Sequence, residues 1–244
     1  MDMLWESTAT AIRDVIGAAN IQAEQIAAIG NCGHGNGVYL LNKEGKPLRN
    51  GIQSLDSRAA SIVAEWEESG LHKKTFPYSL QAYWPAQPNA LLLWLKRNEP
   101  NNYDNVGAVL MVKDYIKYCL TGEISADFTD MSGANLMDVP NKRYSEELLE
   151  LYDIPEVIDA LPPLKGSSEV IGEVNRTAAE DTGLAVGTPV VGGLFDVDAS
   201  AIGSGVISAN QACLVMGSWS INEVITVEPI VHPEIFMTTI FANP

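Results

Sequence analysis

Apolar residues at the head of the chain fall at helical spacing, with Leu4, Ala11, Ile12, Val15 and Ile16 on one face, and predict an amphipathic helix. Shorter blocks follow. Residues 26–29 end at Gly30, and residues 38–41 run into the turn signal Asn-Lys-Glu-Gly-Lys-Pro, so both read as strands. Residues 51–55 are extended and lead into a helix over 59–68. A second helix is expected over 89–98, apolar through Leu91, Leu92, Leu93 and Leu95. Residues 106–112 read as a buried strand, followed by a helix from Lys113 that stops at Thr121-Gly122. Further on come a short helix over 145–152, a small strand pair around 170–174 and a helical turn over 178–183. The β-branched run 188–191, with Pro189 at its start, and the run 212–216 read as buried strands. Two more β-type runs are expected over 221–227 and 235–241.

Composition narrows the class. With 46% apolar and 19% charged residues the chain is an ordinary globular one, and 244 residues suffice for one large domain or two smaller ones. A formal net charge of −16 argues against nucleic acid as a partner, because such a surface repels a phosphate polymer. A single nucleotide stays compatible, since backbone amides and one hydroxyl can hold it. The three cysteines, Cys32, Cys119 and Cys213, lack metal-ligand or disulfide-framework spacing, which fits a reducing cytoplasm. No apolar run approaches membrane-spanning length and no leader pattern opens the chain, so a soluble cytosolic protein without a membrane partner is expected.

Candidate chemistry concentrates between Thr188 and Ser220. Gly192-Gly193 let the backbone turn sharply and approach a ligand, and they deliver Asp196 just past the carboxyl end of a strand. Asp198 begins what looks like a helix capped by an aspartate. Gly217-Ser218 forms a tight turn whose amides and hydroxyl suit a phosphate. A carboxylate of this kind can deprotonate a hydroxyl while the turn steadies a phosphoryl group; read locally, the same residues are a helix cap and ordinary turns. Three glycines between Asn31 and Gly37 leave His34 and Asn36 on an open loop, where His34 suits a general base, a substrate contact or a surface position. Asp56 stands at a helix start and reads first as a cap. Tyr83 and Trp84 suit either a sugar-stacking wall or a packed loop. The cluster Asp127, Thr129, Asp130 and Ser132 reads as a structural polar elbow.

Five stretches, in order, resemble the FGGY carbohydrate kinase family of the actin-like ATPase superfamily. They are Ala28-Ile29-Gly30 with the glycine loop and residues 38–41; Ser54-Leu55-Asp56-Ser57-Arg58; Pro88 to Trp94 with Glu99-Pro100; Val112-Lys113-Asp114-Tyr115 through Thr129-Asp130-Met131-Ser132-Gly133; and Gly192 to Asp196 with Met216-Gly217-Ser218. The ketopentose kinases, including those for L-xylulose, are the most similar in feel. The resemblance implies an α/β, ribonuclease H-like sheet with flanking helices and ATP-dependent phosphorylation of a sugar, with Mg2+ as cofactor. It places Asp196 as catalytic base, Gly217 and Ser218 at the ATP phosphates, and His34, Asn36, Asp56 and Trp84 around the sugar, with no protein residue assigned to a metal. Asn36 and Ser218 depart from the side chains common at their positions. The family's opening phosphate motif and its adenosine pocket find no counterpart. The chain is therefore expected to comprise residues 1–187 of the first domain and 188–244 opening the second, and to be inactive alone. A non-catalytic sugar-binding module is the alternative, a filament-forming actin-like ATPase a remoter one, and homodimerisation is left open.

Overall fold

The computed structural model describes residues 1–216 and 220–242. The opening helix, α1 (Asp2–Ala19), is closed by Asn20 in the left-handed conformation, its amide returning to the Gly17 carbonyl. The chain then forms β1 (Cys32–Gly33), β2 (Tyr39–Asn42), α2 (Ala60–Glu68) and α3 (His72–Ser79). α4 (Pro88–Asn98) and the single turn α5 (Pro100–Tyr103) each start on a proline, where a missing amide breaks no helical bond. β3 (Val106–Leu110) feeds α6 (Val112–Thr121), which stops at Gly122 with φ 83°. β4 (Ala126–Asp127), α7 (Phe128–Met131), β5 (Met137–Asp138), β6 (Arg143–Tyr144) and α8 (Glu146–Leu151) follow. Next come β7 (Leu164–Lys165), β8 (Val170–Glu173) and α9 (Arg176–Thr182), the last begun by Asn175, whose side chain accepts the Ala178 amide at 2.9 Å. β9 (Pro189–Val191), β10 (Leu194–Phe195), α10 (Asp196–Gly203), β11 (Ala212–Met216) and β12 (Ser220–Val224) complete the order.

Among the described residues the strands pair as six short ladders. β1–β10 and β4–β7 are parallel; β2–β3, β5–β6, β8–β9 and β11–β12 are antiparallel. A parallel bridge between Ile29 and Val190 heads the β1–β10 ladder, so residues 29–33 run beside 190–195.

Three clusters hold these pieces. In the largest, Leu91, Leu92, Leu93 and Leu95 of α4 are all buried, against Ile62 and Trp66 of α2, Val109 of β3 and Tyr152. A stretch apolar on every side, as residues 90–95 are, belongs in an interior, and each such leucine contributes roughly 1.5–3 kcal/mol of burial. Tyr39, Leu41, Ala108, Leu110 and Tyr115 pack β2–β3 on α6. Trp5, Ile12 and Ile16 of α1 join Ala178 and Val190 in the third, where the Trp5 indole N–H donates to Asp181 Oδ2 at 2.7 Å.

Several local expectations fail. Residues 26–29 form no strand: their neighbour β9 gives its ladder to β8, and only Ile29 bridges to it. Residues 235–241 make one bridge, Met237 to Gln81, because the segment they meet is itself irregular. The strand expected to reach residue 112 ends at Leu110, since Val112 already opens α6. α3 was not anticipated; Pro77 lies inside it and reads in the sequence as a breaker.

Candidate active site

Register puts Cys32 opposite Leu194 and Gly33 opposite Phe195. The loop that begins at His34 and the helix that begins at Asp196 therefore leave the same end of one parallel ladder. It is the carboxyl end of both strands, the side on which open α/β sheets gather ligands.

The glycines of this loop are required by close approach. A Cβ on Gly33 would meet Val112 Cγ1 at 2.7 Å, one on Gly35 the Phe195 ring at 2.6 Å, and one on Gly37 the Ile52 carbonyl oxygen at 2.3 Å. Gly37 also has φ +76°, and its amide donates to the Ala86 carbonyl at 2.7 Å. Gly37→Ala is expected to lower the urea midpoint by the equivalent of ~1–3 kcal/mol; an unchanged midpoint would refute this account of the loop. The close approach at Gly192 and Gly193 is to the protein itself. They press on protein backbone, a Cβ on the first lying 2.3 Å from the Gly166 oxygen and on the second 2.6 Å from the Asn31 oxygen.

Asp196 is the half-buried first residue of α10. Burial raises its carboxyl above the ordinary aspartate range, while the nearby His34 imidazole and the Val197 amide pull it back. Such a group is more basic than an exposed aspartate and suits proton acceptance. Asp198 does not cap the helix. α10 starts earlier, and Phe195 holds the cap position without a side-chain bond. Asp198 is instead 1% exposed, and burial, reinforced by Glu223, Asp127 and Asp130, pushes its carboxyl up to about 8.

The His34 ring is anchored at both nitrogens. Nδ1 lies 3.1 Å from the Gly35 carbonyl oxygen and Nε2 lies 3.2 Å from the Tyr39 hydroxyl. A carbonyl only accepts, so Nδ1 carries a proton, and in the neutral ring Nε2 accepts from Tyr39. Asn36 adopts φ 62°, and its buried Oδ1 has no hydrogen-bond partner. Asp56 does not cap α2, which begins at Ala60 without a side-chain cap. Its carboxylate accepts from Arg58 Nε at 2.8 Å, Arg58 Nη2 at 2.9 Å and the Arg58 amide at 2.9 Å, and that guanidinium holds it below the ordinary range. The same guanidinium lies over the Trp94 ring at 4.9 Å. The Trp84 indole N–H donates to the Ser54 carbonyl at 3.2 Å, and its ring meets Phe236 edge-on.

Two groups thus form: His34 with Asp196, and Trp84 with the 54–58 turn that carries Asp56. The backbone at Gly37, touching Ile52 on one side and Ala86 on the other, connects them. Gly217 and Ser218 lie outside the described residues.

Beneath β10 sits a buried charge cluster that joins Asp127 and Asp130 of the polar elbow to Lys113, Asp114 and Lys117 of α6. Lys113 Nζ stands 2.8 Å from Asp114 Oδ1, 2.5 Å from Asp127 Oδ1 and 3.4 Å from Asp130 Oδ2, and Lys117 Nζ stands 3.1 Å from Asp114 Oδ1. All these side chains are at most 1% exposed. The sequence signal was present: Lys113 and Lys117 share one face of a helix, and the elbow carries two acids with no base of its own. Among the described residues no group of three or more His, Cys, Asp or Glu side chains is arranged to ligate a metal ion. A cavity of about 590 Å3, lined by Lys43, Lys96, Tyr103 and Glu156 among others, touches none of these loops. Among the described residues no helix is long and apolar enough to cross a membrane.

Comparison with known proteins gives this arrangement its context. The model of the N-terminal domain of the FGGY family of carbohydrate kinases matches residues 1–203. An L-xylulose/3-keto-L-gulonate kinase of Escherichia coli (strain K12) is 40% identical over 226 residues, covering 93% of this chain and 45% of that protein. A solved xylulose kinase from Rhodospirillum rubrum superposes with TM-score 0.79 at 28% identity, over 86% of this chain and 43% of that one. A ligand-bound xylulose kinase from Lactobacillus acidophilus, at 23% identity, shares the fold with TM-score 0.87 over 95% of this chain and 46% of that one. The chain spans about half the length of the curated relatives it matches. The mixed α/β architecture is that of FGGY sugar kinases, of the actin-like ATPase class. The chain belongs to the FGGY family of carbohydrate kinases.

Proposed function

We propose that this chain supplies the sugar-binding side and the proton acceptor of an ATP-dependent ketopentose kinase, with L-xylulose as the first candidate substrate. The observation that carries the reading is the meeting of Asp196 with the His34 loop at the carboxyl end of the β1–β10 ladder. Asp196 takes the proton of the attacking sugar hydroxyl as its oxygen bonds to the γ-phosphorus of ATP and ADP leaves. His34, fixed by Tyr39 and Gly35, keeps its ring beside that carboxylate. Asn36 Oδ1, buried and without a partner, is assigned to a sugar hydroxyl that would reach it on a shift of the loop, and the Asp56–Arg58 pair with Trp84 is assigned to the far wall. Gly217 and Ser218 are assigned to the phosphates by resemblance, and among the described residues none is assigned to Mg2+. L-xylulose is favoured by the E. coli relative, whose name carries that sugar.

A chain of this extent is expected to bind sugar while releasing little ADP. Calorimetric titration with L-xylulose, other ketopentoses and polyols tests the first half. Binding of L-xylulose is expected, and Asp196→Asn should retain it, because the amide keeps the shape and a hydrogen-bonding oxygen. A chain that binds none of these compounds would sink the reading. Sugar-dependent ADP release at an appreciable rate would overturn the second half.

A further inference from the structure

The turn from Gly192 to Phe195 that delivers Asp196 is gripped at both ends by the buried charge cluster, and we infer that Thr129 and Lys117 are positioning residues for Asp196. The inference rests on the reading of Asp196 as proton acceptor.

At one end the Phe195 amide donates to Thr129 Oγ1 at 2.9 Å. The Thr129 hydroxyl gives its single proton to Asp127 Oδ2 at 2.5 Å, which leaves its lone pairs to accept from Phe195. Asp127 Oδ2 also accepts the Thr129 amide at 2.9 Å, and Asp127 Oδ1 is ion-paired to Lys113 at 2.5 Å. At the other end Lys117 Nζ donates to the Gly192 carbonyl at 3.0 Å and to Asp114 Oδ1 at 3.1 Å, where Lys113 also donates at 2.8 Å. One lysine pair, joined through Asp114, therefore reaches both flanks of the turn.

The amides of Gly192, Gly193 and Leu194 already donate to the Glu169, Ser167 and Asn31 carbonyls, each at 3.0 Å, and the cluster adds the Gly192 oxygen and the Phe195 nitrogen to what is held. The turn's two glycines have no side chains to hold it, and glycine keeps more conformational freedom than any other residue. An apolar contact would attach α6 to this segment at lower desolvation cost, since buried ion pairs add little net stability over packed hydrophobic residues. Hydrogen bonds add direction, and here they fix the Gly192 oxygen and the Phe195 nitrogen. Lys117, Asp127 and Thr129 are at most 1% exposed, so water does not compete for these bonds.

Amide exchange followed by NMR on the whole chain tests the grip. Val191, whose amide bonds to the Ile29 carbonyl at 2.9 Å, reports the neighbouring ladder. In Thr129→Val, Phe195 protection is expected to fall about tenfold further than that of Val191, while Thr129→Ser, which keeps the hydroxyl, stays within about twofold of wild type. Thr182→Val serves as a remote control; it deletes a buried hydroxyl bonded to the Ala178 carbonyl of α9 and should lower both amides alike. Equal falls at Phe195 and Val191 in Thr129→Val would overturn the inference. If that variant does not fold, the wild-type spectrum decides: a slowly exchanging Thr129 hydroxyl with an Overhauser contact to the Phe195 amide is expected, and its absence overturns the inference. Added L-xylulose should shift the Asp196 amide in wild type and in Thr129→Ser but not in Thr129→Val, and an equal shift in Thr129→Val counts against the inference. If no ketopentose moves that amide in wild type, the proposed function fails while the exchange data still decide the grip.

Discussion

Lys113→Met is expected to cost the chain about 3–5 kcal/mol of stability at neutral pH. Burial alone would drive the Lys113 ammonium toward neutrality, but Asp114, Asp127 and Asp130 overcome it and hold the lysine charged, well above its ordinary range. Methionine keeps the length and removes the charge, which leaves three buried carboxylates facing one remaining lysine. Breaking a buried pair from one side costs about 3–5 kcal/mol, against a total of about 5–15 kcal/mol for a typical domain. Urea unfolding at pH 7 is the measurement, with a loss of 3 kcal/mol or more as the expected result. Lowering the pH toward 5 should return part of it, because a protonated aspartate no longer needs the ammonium. Lys165→Met, which breaks the exposed pair with Glu169 at 2.7 Å, should leave the midpoint within error of wild type. Equal small effects from the two lysines would mean that the cluster is hydrated.

Raising the pH from 5 to 8 is expected to weaken the fold, and Asp198→Asn to flatten that slope. The carboxyl moves from an ordinary 3.8 in the unfolded chain to about 8 in the folded one. Between those values the folded chain holds a proton that the unfolded chain has released, so stability falls as pH rises. This one group removes up to about 1.4 kcal/mol per pH unit across the window. Asp130, raised by burial against the opposing charge of Lys113, acts in the same direction. Asp56 and Glu156 are held below their ordinary ranges, so their contribution is lost only on acidification, outside the window. Thermal midpoints of wild type and Asp198→Asn at several pH values decide the matter. A wild-type midpoint that stays level or rises toward pH 8 would refute it.

Much of the secondary structure was legible because its signals are local. Gly122 and Gly183 stop helices by adopting the left-handed conformation, and the unbroken apolar run of α4 marks its burial. What was not legible depends on partners distant in sequence. No residue near Cys32 announces that it will pair with Leu194. Asp56 is the exception to this rule: its partner Arg58 stands only two residues away, and the cap pattern competes with that local ion pair. Lysines and aspartates are ordinarily solvated, so the shared helix face of Lys113 and Lys117 and the unpaired acids of the elbow become an interior network only through the packing of α6 and the elbow beneath β10. The same applies to Asp198, whose environment is assembled from α10, β12 and the elbow together. Of the candidate site, the strand-and-glycine pattern shows that Asp196 and the His34 loop each follow a strand, while nothing in it points to the residues that grip the turn.

The pairing of β1 with β10 also dictates when the site comes into being during synthesis. Val38, Leu91, Leu148 and Val157 belong to one interior that can close before residue 194 leaves the ribosome. Until then the nascent chain has most of that centre, Ile240 excepted, but no acid at the mouth of its glycine loop, and the edge of Cys32-Gly33 stands without its neighbour. Asp196 thereby reaches the glycine loop only after most of that interior is available to fold, and the bare edge is where two incomplete chains would first stick to one another.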